Sequence, residues 1–258
     1  MSERSSYAAG TPSWVDIGST DLDKTHAFYT GLFGWGRQEA GPPEETGGYG
    51  FYTLRDKLVA GYGPAQDPNG GVWWTTYVDV DDADKIAEAV TAHGGSVLAP
   101  PMDVMTAGRM AVFSDPFGAA FAVWQPGEHH GAQIVNEAGA LCWNELLTRD
   151  LPGARSFYQT VFGWGEKNGP DSPYLEFTVA DAVIAGGMAI TPDMPAQMPA
   201  HWNVYFAVSD LEASVAKVTE LGGQIRRPPF DIPDVGRAAI IGGPHYEGFS
   251  LFQLDHEL

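Results

Sequence analysis

An α+β fold built from two tandem copies of one strand-rich unit is what this sequence predicts, and three observations carry that expectation. First, Trp14, Asp21, Leu22, Phe28, Tyr29, Phe33, Gly34, Trp35 and Gly36 return 129 positions later as Trp143, Asp150, Leu151, Phe157, Tyr158, Phe162, Gly163, Trp164 and Gly165. Further on the offset becomes 128 and holds for Tyr77/Tyr205, Gly94-Gly95/Gly222-Gly223, Pro100-Pro101/Pro228-Pro229 and Gly108-Arg109/Gly236-Arg237. Second, 258 residues with 44% apolar and 12% aromatic side chains can bury a sizeable core. Third, the 32 glycines and 19 prolines are scattered between apolar runs, as turn residues in a strand-rich fold would be.

In the first copy Trp14-Val15-Asp16-Ile17 alternates as a half-buried strand, and Thr20 or Asp21 can cap a helix that runs to about Leu32 before Gly34 ends it. Gly48 to Gly61 reads as one or two strands around a turn at Arg55-Asp56. Trp73 to Val80 alternates again. Asp81-Asp82 then caps a second helix through Ile86 and Val90, which Gly94-Gly95 closes. Gly108 to Phe113 and Ala119 to Trp124 form a hairpin around Asp115-Pro116-Phe117-Gly118. The unit is βαβββ with an additional helix after its second main strand group. Two copies cannot make a solenoid, so each is expected to be a compact half: residues 10–126 and 139–258, joined by a polar linker over 127–138.

Fourteen Lys+Arg against 33 Asp+Glu leave a net charge of −19, which repels a phosphate backbone and an anionic membrane surface. The partner to expect is a small molecule rather than nucleic acid or lipid, and the chain is expected to act as a monomer or homodimer. The single cysteine, Cys142, permits no internal disulfide. The N-terminus lacks the apolar core of a signal peptide, and no stretch approaches a membrane span, so the expected location is the cytoplasm.

The order Asp21-Leu22, Ala27-Phe28-Tyr29, Phe33-Gly34-Trp35, Val80-Asp81, His93-Gly94-Gly95 and Asp115-Pro116-Phe117-Gly118, repeated in the second copy, resembles the vicinal oxygen chelate superfamily. That superfamily holds glyoxalase I, bleomycin-resistance proteins and extradiol dioxygenases. The likeness is strongest to tandem, glyoxalase-like proteins of actinobacteria, many labelled hydroxylases without a defined reaction. It implies two βαβββ modules whose curled mixed sheets enclose a ligand cavity. It also implies a divalent ion held by His, Gln and Glu on three strands of each module. Counted from the shared motifs, those positions carry Trp14, Thr75 and Ala122 in the first copy and Trp143, Asn203 and Phe252 in the second. Such side chains do not make a catalytic metal site, so no metal or other cofactor is expected.

Strand alternation says what stands there instead. Val15 and Ile17 face the helices, so Trp14 and Asp16 face the cavity, as do Trp143 and Glu145 in the second copy. By the same parity Thr75, Tyr77, Ala122, Trp124, His201, Asn203, Tyr205, Ser250 and Phe252 line it. Aromatic walls with two carboxylates suit a flat or hydrophobic organic molecule.

Arg109 and Arg237 are expected to pair with nearby carboxylates. His26 and His93 read as structural, His129-His130 as a solvated pair in the linker, His201 and His245 as neighbours of the second pocket, and Cys142 as a small buried residue on the helix side. No phosphate loop or nucleophile elbow is present. The function expected is metal-free binding of a small aromatic or hydrophobic molecule. The alternatives are a metal-dependent lyase, isomerase or dioxygenase, and a metal-free enzyme using Asp16 or Glu145 as general base.

Overall fold

The computed structural model describes residues 2–65, 67, 71–169 and 172–254; the last four residues of the expected second half lie outside them. The first half runs β1 (Pro12–Ser19), α1 (Leu22–Phe33), β2 (Gly36–Glu39), α2 (Pro43–Thr46), β3 (Gly50–Leu54), β4 (Lys57–Pro64), β5 (Trp73–Asp79), α3 (Ala83–Ala92), β6 (Ser96–Val104), β7 (Gly108–Ser114) and β8 (Ala120–Pro126). The second half runs β9 (Leu141–Thr148), α4 (Leu151–Phe162), β10 (Gly165–Glu166), β11 (Tyr174–Val179), β12 (Ala182–Ala189), β13 (His201–Ala207), α5 (Leu211–Glu220), β14 (Gln224–Ile232), β15 (Gly236–Gly242) and β16 (Gly248–Leu254). Asp21, Asp82, Asp150 and Asp210 each start a helix by accepting a backbone N–H three residues on, which satisfies one of the donors left orphaned at a helix start. Gly34 and Gly163 end α1 and α4 in the left-handed conformation that favours glycine.

Among the described residues each half forms one mixed sheet, in the order β2-β3-β4-β1-β5-β8-β7-β6 and its counterpart β10-β11-β12-β9-β13-β16-β15-β14. Each half is thus itself two βαβββ units, β1-α1-β2-β3-β4 and β5-α3-β6-β7-β8, joined by the antiparallel pair β1–β5. This finer division follows from β2 and β6, edge strands with little apolar patterning: β2 is exposed throughout, and β6 carries Pro100-Pro101, which edge strands tolerate and central ones do not.

The helix-bearing faces of the two sheets pack together, α1 against α5 and α3 against α4. Thr76 donates to Asn144 across this junction at 2.9 Å with both side chains buried. Reciprocal hydrogen bonds lock it. The Trp35 indole donates to the Gly139 carbonyl and the Trp164 indole to the Gly10 carbonyl, each at 2.7 Å and each at the entry to the other half's first strand. Removing the donor while keeping a ring, as in Trp164→Phe, orphans the Gly10 carbonyl and is expected to cost about 1–2 kcal/mol in a urea titration.

The linker is not a solvated connector. Gly127 and His129 donate to the Ala107 carbonyl, Ala132 donates to Ser13, and Gln133 exchanges two bonds with Leu58. Ala132, Ile134 and Val135 are buried in the main core. No helix of the described residues is long and apolar enough to cross a membrane.

Candidate functional site

The face of each sheet turned away from the helices carries a buried carboxylate in a ring of aromatic residues. Val15 and Ile17 are fully buried on the helix side, so alternation turns Trp14 and Asp16 to the other, inner face. There Tyr77 donates to Asp16 Oδ2 at 2.8 Å and Tyr49 to the same oxygen at 3.1 Å. The Trp14 indole donates to the Tyr49 hydroxyl at 3.0 Å, and Thr75 adds a further hydrogen bond to the carboxylate. Burial raises the pKa of Asp16 to about 6, against the pull of its three hydroxyl donors.

The second half repeats this arrangement with a longer acid. Tyr174 donates to Glu145 Oε1 at 2.8 Å, Tyr205 donates to Oε2 at 2.7 Å, and the Trp143 indole donates to Tyr174 at 2.9 Å. Asn203 donates to Ser250 Oγ at 2.8 Å beside them. Burial again raises the carboxyl pKa. Among the described ion pairs none involves Asp16 or Glu145.

Trp14, Asp16, Thr75, Tyr77 and Trp124 therefore gather on one sheet, and Trp143, Glu145, Asn203, Tyr205 and Phe252 on the other. The two sheets meet through Thr76 and Asn144 on their helix faces, so Trp14 and Trp143 stand on faces that point apart rather than on the two walls of one pocket. His201 sits at the start of β13, with Nδ1 2.9 Å from the Pro199 carbonyl.

Several expectations need correction. Trp14 is 2% and Trp124 6% exposed, because the linker lies over them. His129 is not solvated: its ring stands edge-on to Trp14 with centroids 4.5 Å apart, and its carbonyl accepts the Trp124 indole at 2.7 Å. Burial lowers its pKa to about 4, which keeps the imidazole neutral. Cys142 occupies a β-bulge between the Leu141–Phe206 and Trp143–Tyr205 pairs, and the bulge breaks alternation. Its thiol therefore packs with Tyr205, Ala238 and Phe252 on the inner face, where burial pushes its pKa up.

Arg109 pairs with Asp84 and Asp103, and Arg237 with Glu212 and Asp231. A cavity of about 740 Å³ runs beside the linker between Arg4, Phe51, Lys57, Met105, His129 and His130, and neither Asp16 nor Glu145 lines it.

Sequence reasoning missed Tyr49 and Tyr174. They stand 125 positions apart, because the segment leading into β3 is four residues longer than its counterpart, and a search at 129 or 128 passes over them. The signal was there: Arg55-Asp56 and Ala180-Asp181, the left-handed turns that follow, share the same spacing.

This layout has clear relatives. A family model described as Glyoxalase/Bleomycin resistance protein/Dioxygenase superfamily matches residues 11–123 and 130–249. The chain belongs to that superfamily. CFP32 of Mycobacterium tuberculosis, whose name places it provisionally among the glyoxylases, is 41% identical with 98% of each chain covered. The anthracycline biosynthesis protein DnrV of Streptomyces peucetius is 38% identical over 96% of this chain and 94% of its own. The fold is shared with a Mn(II)-bound glyoxalase from Novosphingobium aromaticivorans (TM-score 0.67, 14% identity, 100% and 85% of the chains). It is also shared with the 2,3-dioxygenase LapB from Pseudomonas sp. KL28 (TM-score 0.66, 13% identity, 98% and 95%).

The superfamily implies a divalent cation, and the side chains at its positions do not fit one. Indole, hydroxyl and methyl groups stand there in the first half, and indole, amide and phenyl groups in the second. No cluster of three His, Cys, Asp or Glu that could hold an ion occurs among the described residues.

Proposed function

We propose that this superfamily member binds a small, flat aromatic or hydrophobic organic molecule on the inner face of its sheets, and does so without a metal ion. One observation carries the reading. Each half builds the same chain of tryptophan, tyrosine, carboxylate and tyrosine, although the acid is Asp16 in one and Glu145 in the other and the repeat spacing differs between its members. A buried carboxylate ringed by hydroxyls and aromatic faces offers a ligand stacking surface together with hydrogen-bond acceptors. A relative named for anthracycline biosynthesis is in keeping with a flat polycyclic ligand. The net charge of −19 argues against nucleic acid and membranes as partners, and the lone thiol of Cys142 suits a reducing cytoplasm. In this reading the chain works as a monomer or homodimer.

A second reading has one observation in its favour. A carboxyl group with its pKa near 6, like that of Asp16, is poised to take a proton at neutral pH. Asp16→Asn and Glu145→Gln separate the two. A binder keeps its ligand with modest loss, as measured by thermal shift. A general base keeps binding but loses turnover by about 10²–10⁴-fold. Unchanged binding and unchanged turnover in both variants would remove the carboxylates from either role.

A further inference from the structure

We infer that the cavity of about 740 Å³ beside the linker is a binding site for an aryl carboxylate, with the flat ring laid against Phe51, Leu58 and Met105 and the anionic group turned to Arg4. The inference rests on the reading of the chain as a binder of flat organic molecules. It sets that molecule outside the ring layer of Trp14, Phe51 and His129 rather than on Asp16.

Stretches far apart in the chain meet here: the N-terminal strip at Arg4, the start of β4 at Lys57 and Leu58, the β6–β7 turn at Met105, and the linker from Glu128 to Gln133. Their backbones are tied to one another. Arg4 donates to the Gln133 carbonyl at 2.9 Å, Gln133 to that of Leu58 at 2.7 Å, and Glu128 and His129 to those of Thr106 and Ala107 at 3.0 Å each. The walls are thus set before a ligand arrives, so little ordering opposes binding. The volume falls within the range of about 300–1,000 Å³ usual for small-molecule sites. Its lining runs over residues 3–133, and of the undescribed residues only Met1 adjoins that lining in sequence; one side chain does not fill such a space.

Apolar surface and charge both line the cavity. Phe51 and Leu58 are half-buried and Met105 is 57% exposed, which leaves a ring, a branched chain and a thioether to cover a flat molecule. Arg4 enters no ion pair among the described residues. The Lys57 ammonium meets Glu3 at 3.7 Å, and Glu128, the other acid of the lining, accepts the Thr106 hydroxyl at 2.6 Å. The Arg4 guanidinium is therefore the cation left over, and its fork of donors matches a carboxylate.

His129 gives a second, independent sign of a ligand. It lines the cavity and holds its ring edge-on to Trp14, yet its buried Nε2 has no hydrogen-bond partner among the described residues. A buried polar atom left bare is costly, and a polar substituent on the ligand satisfies it. Phe51 likewise lines the cavity and packs against both Trp14 and His129, so the ring layer forms one wall of the site.

Equilibrium dialysis in about 0.15 M salt tests the site with 2-naphthoate and with 2-naphthamide, its uncharged match in shape. The expected result is one saturable site per chain that prefers the naphthoate. Arg4→Gln should weaken the naphthoate roughly three- to tenfold and the amide little. Phe51→Ala should weaken both by about tenfold, and Met105→Asp should weaken the naphthoate more than the amide. Lys24→Gln, which removes an exposed charge from α1, should change neither. Circular dichroism melts show whether Phe51→Ala folds, and if it does not, the variants at exposed Arg4 and Met105 decide. Equal binding of the two probes with no effect of Arg4→Gln would overturn the inference. A site weakened by Asp16→Asn or Glu145→Gln but not by Arg4→Gln or Met105→Asp would put the ligand on the carboxylates, overturning this inference and leaving the ligand reading intact. A lack of any saturable site for either probe would overturn both.

Discussion

Glu247→Ala is expected to lower the unfolding free energy by about 3–5 kcal/mol, and Gly243→Asp added to it to restore most of that loss. Glu247 is 3% exposed at the junction of the halves, where Oε1 accepts the Tyr29 hydroxyl at 2.8 Å and Oε2 accepts the His245 amide at 2.9 Å. Tyr29 in turn accepts the Trp74 indole at 3.0 Å. Truncating the acid strands two buried donors and opens a void. The other half solves the same problem from the opposite end of its hairpin. Asp115 accepts the Phe117 and Ala119 amides at 2.9 and 2.8 Å and the Tyr158 hydroxyl at 3.1 Å, and Tyr158 accepts the Trp202 indole. The backbone bonds Asp115–Ala119 and Gly243–Glu247 show that the two acids sit on opposite partners of one equivalent pair. A Cβ added to Gly243 would lie 2.1 Å from Glu247 Oε1, so one hairpin has room for a single acid. Gly243→Asp alone should therefore destabilise. Urea titrations of the four proteins measure the cycle. A double variant no more stable than Glu247→Ala would sink the equivalence.

Asp79→Ala should move stability the other way, by up to about 4 kcal/mol at pH 8 and by little at pH 4. Asp79 is 4% exposed, and burial, followed by the charge of Asp81, raises its pKa to about 7. The folded state then holds a proton that the unfolded chain releases near its ordinary value of 3.8. Between those limits the native state binds more protons, so stability falls as pH rises through that window and stays reduced above it. A methyl group fits here, because Ala207 occupies the matching place in the second half, 4% exposed, with the same pattern of backbone bonds to the strand ahead of it. Thermal melts from pH 4 to pH 8 provide the comparison. An Asp79→Ala protein that gains nothing at pH 8 would show the carboxylate to be compensated.

The repeat spacing made the duplicated halves, the helix caps at Asp21 and Asp82 and the parity of Trp14 and Asp16 legible, because identical residues at one offset and period-two alternation survive in the chain itself. Three things did not survive in that form. The tyrosines that hold the carboxylates follow a four-residue change in loop length. The exchange of Asp115 for Glu247 leaves Gly243 where an identity search looks for an acid. The bulge at Cys142 reverses parity at the one residue where alternation was used to place a thiol. The role of the linker was hidden for another reason. Glycine, glutamate and paired histidines have the composition of a solvated turn, and only the tertiary position of Trp14 makes a ring contact of His129.

The reciprocal bonds from Trp35 to Gly139 and from Trp164 to Gly10 have a consequence for synthesis of the chain. As the first half leaves the ribosome, the indole of Trp35 has no acceptor, Tyr29 has no acid, and the face of α1 that meets α5 and Phe249 is wet. Its sheet can pair strand by strand, yet its helix layer has nothing to close against until nearly the whole polypeptide has been made. The nascent first half is thus a sticky intermediate, and slowing translation over residues 139–249 should lengthen its exposure and increase aggregation.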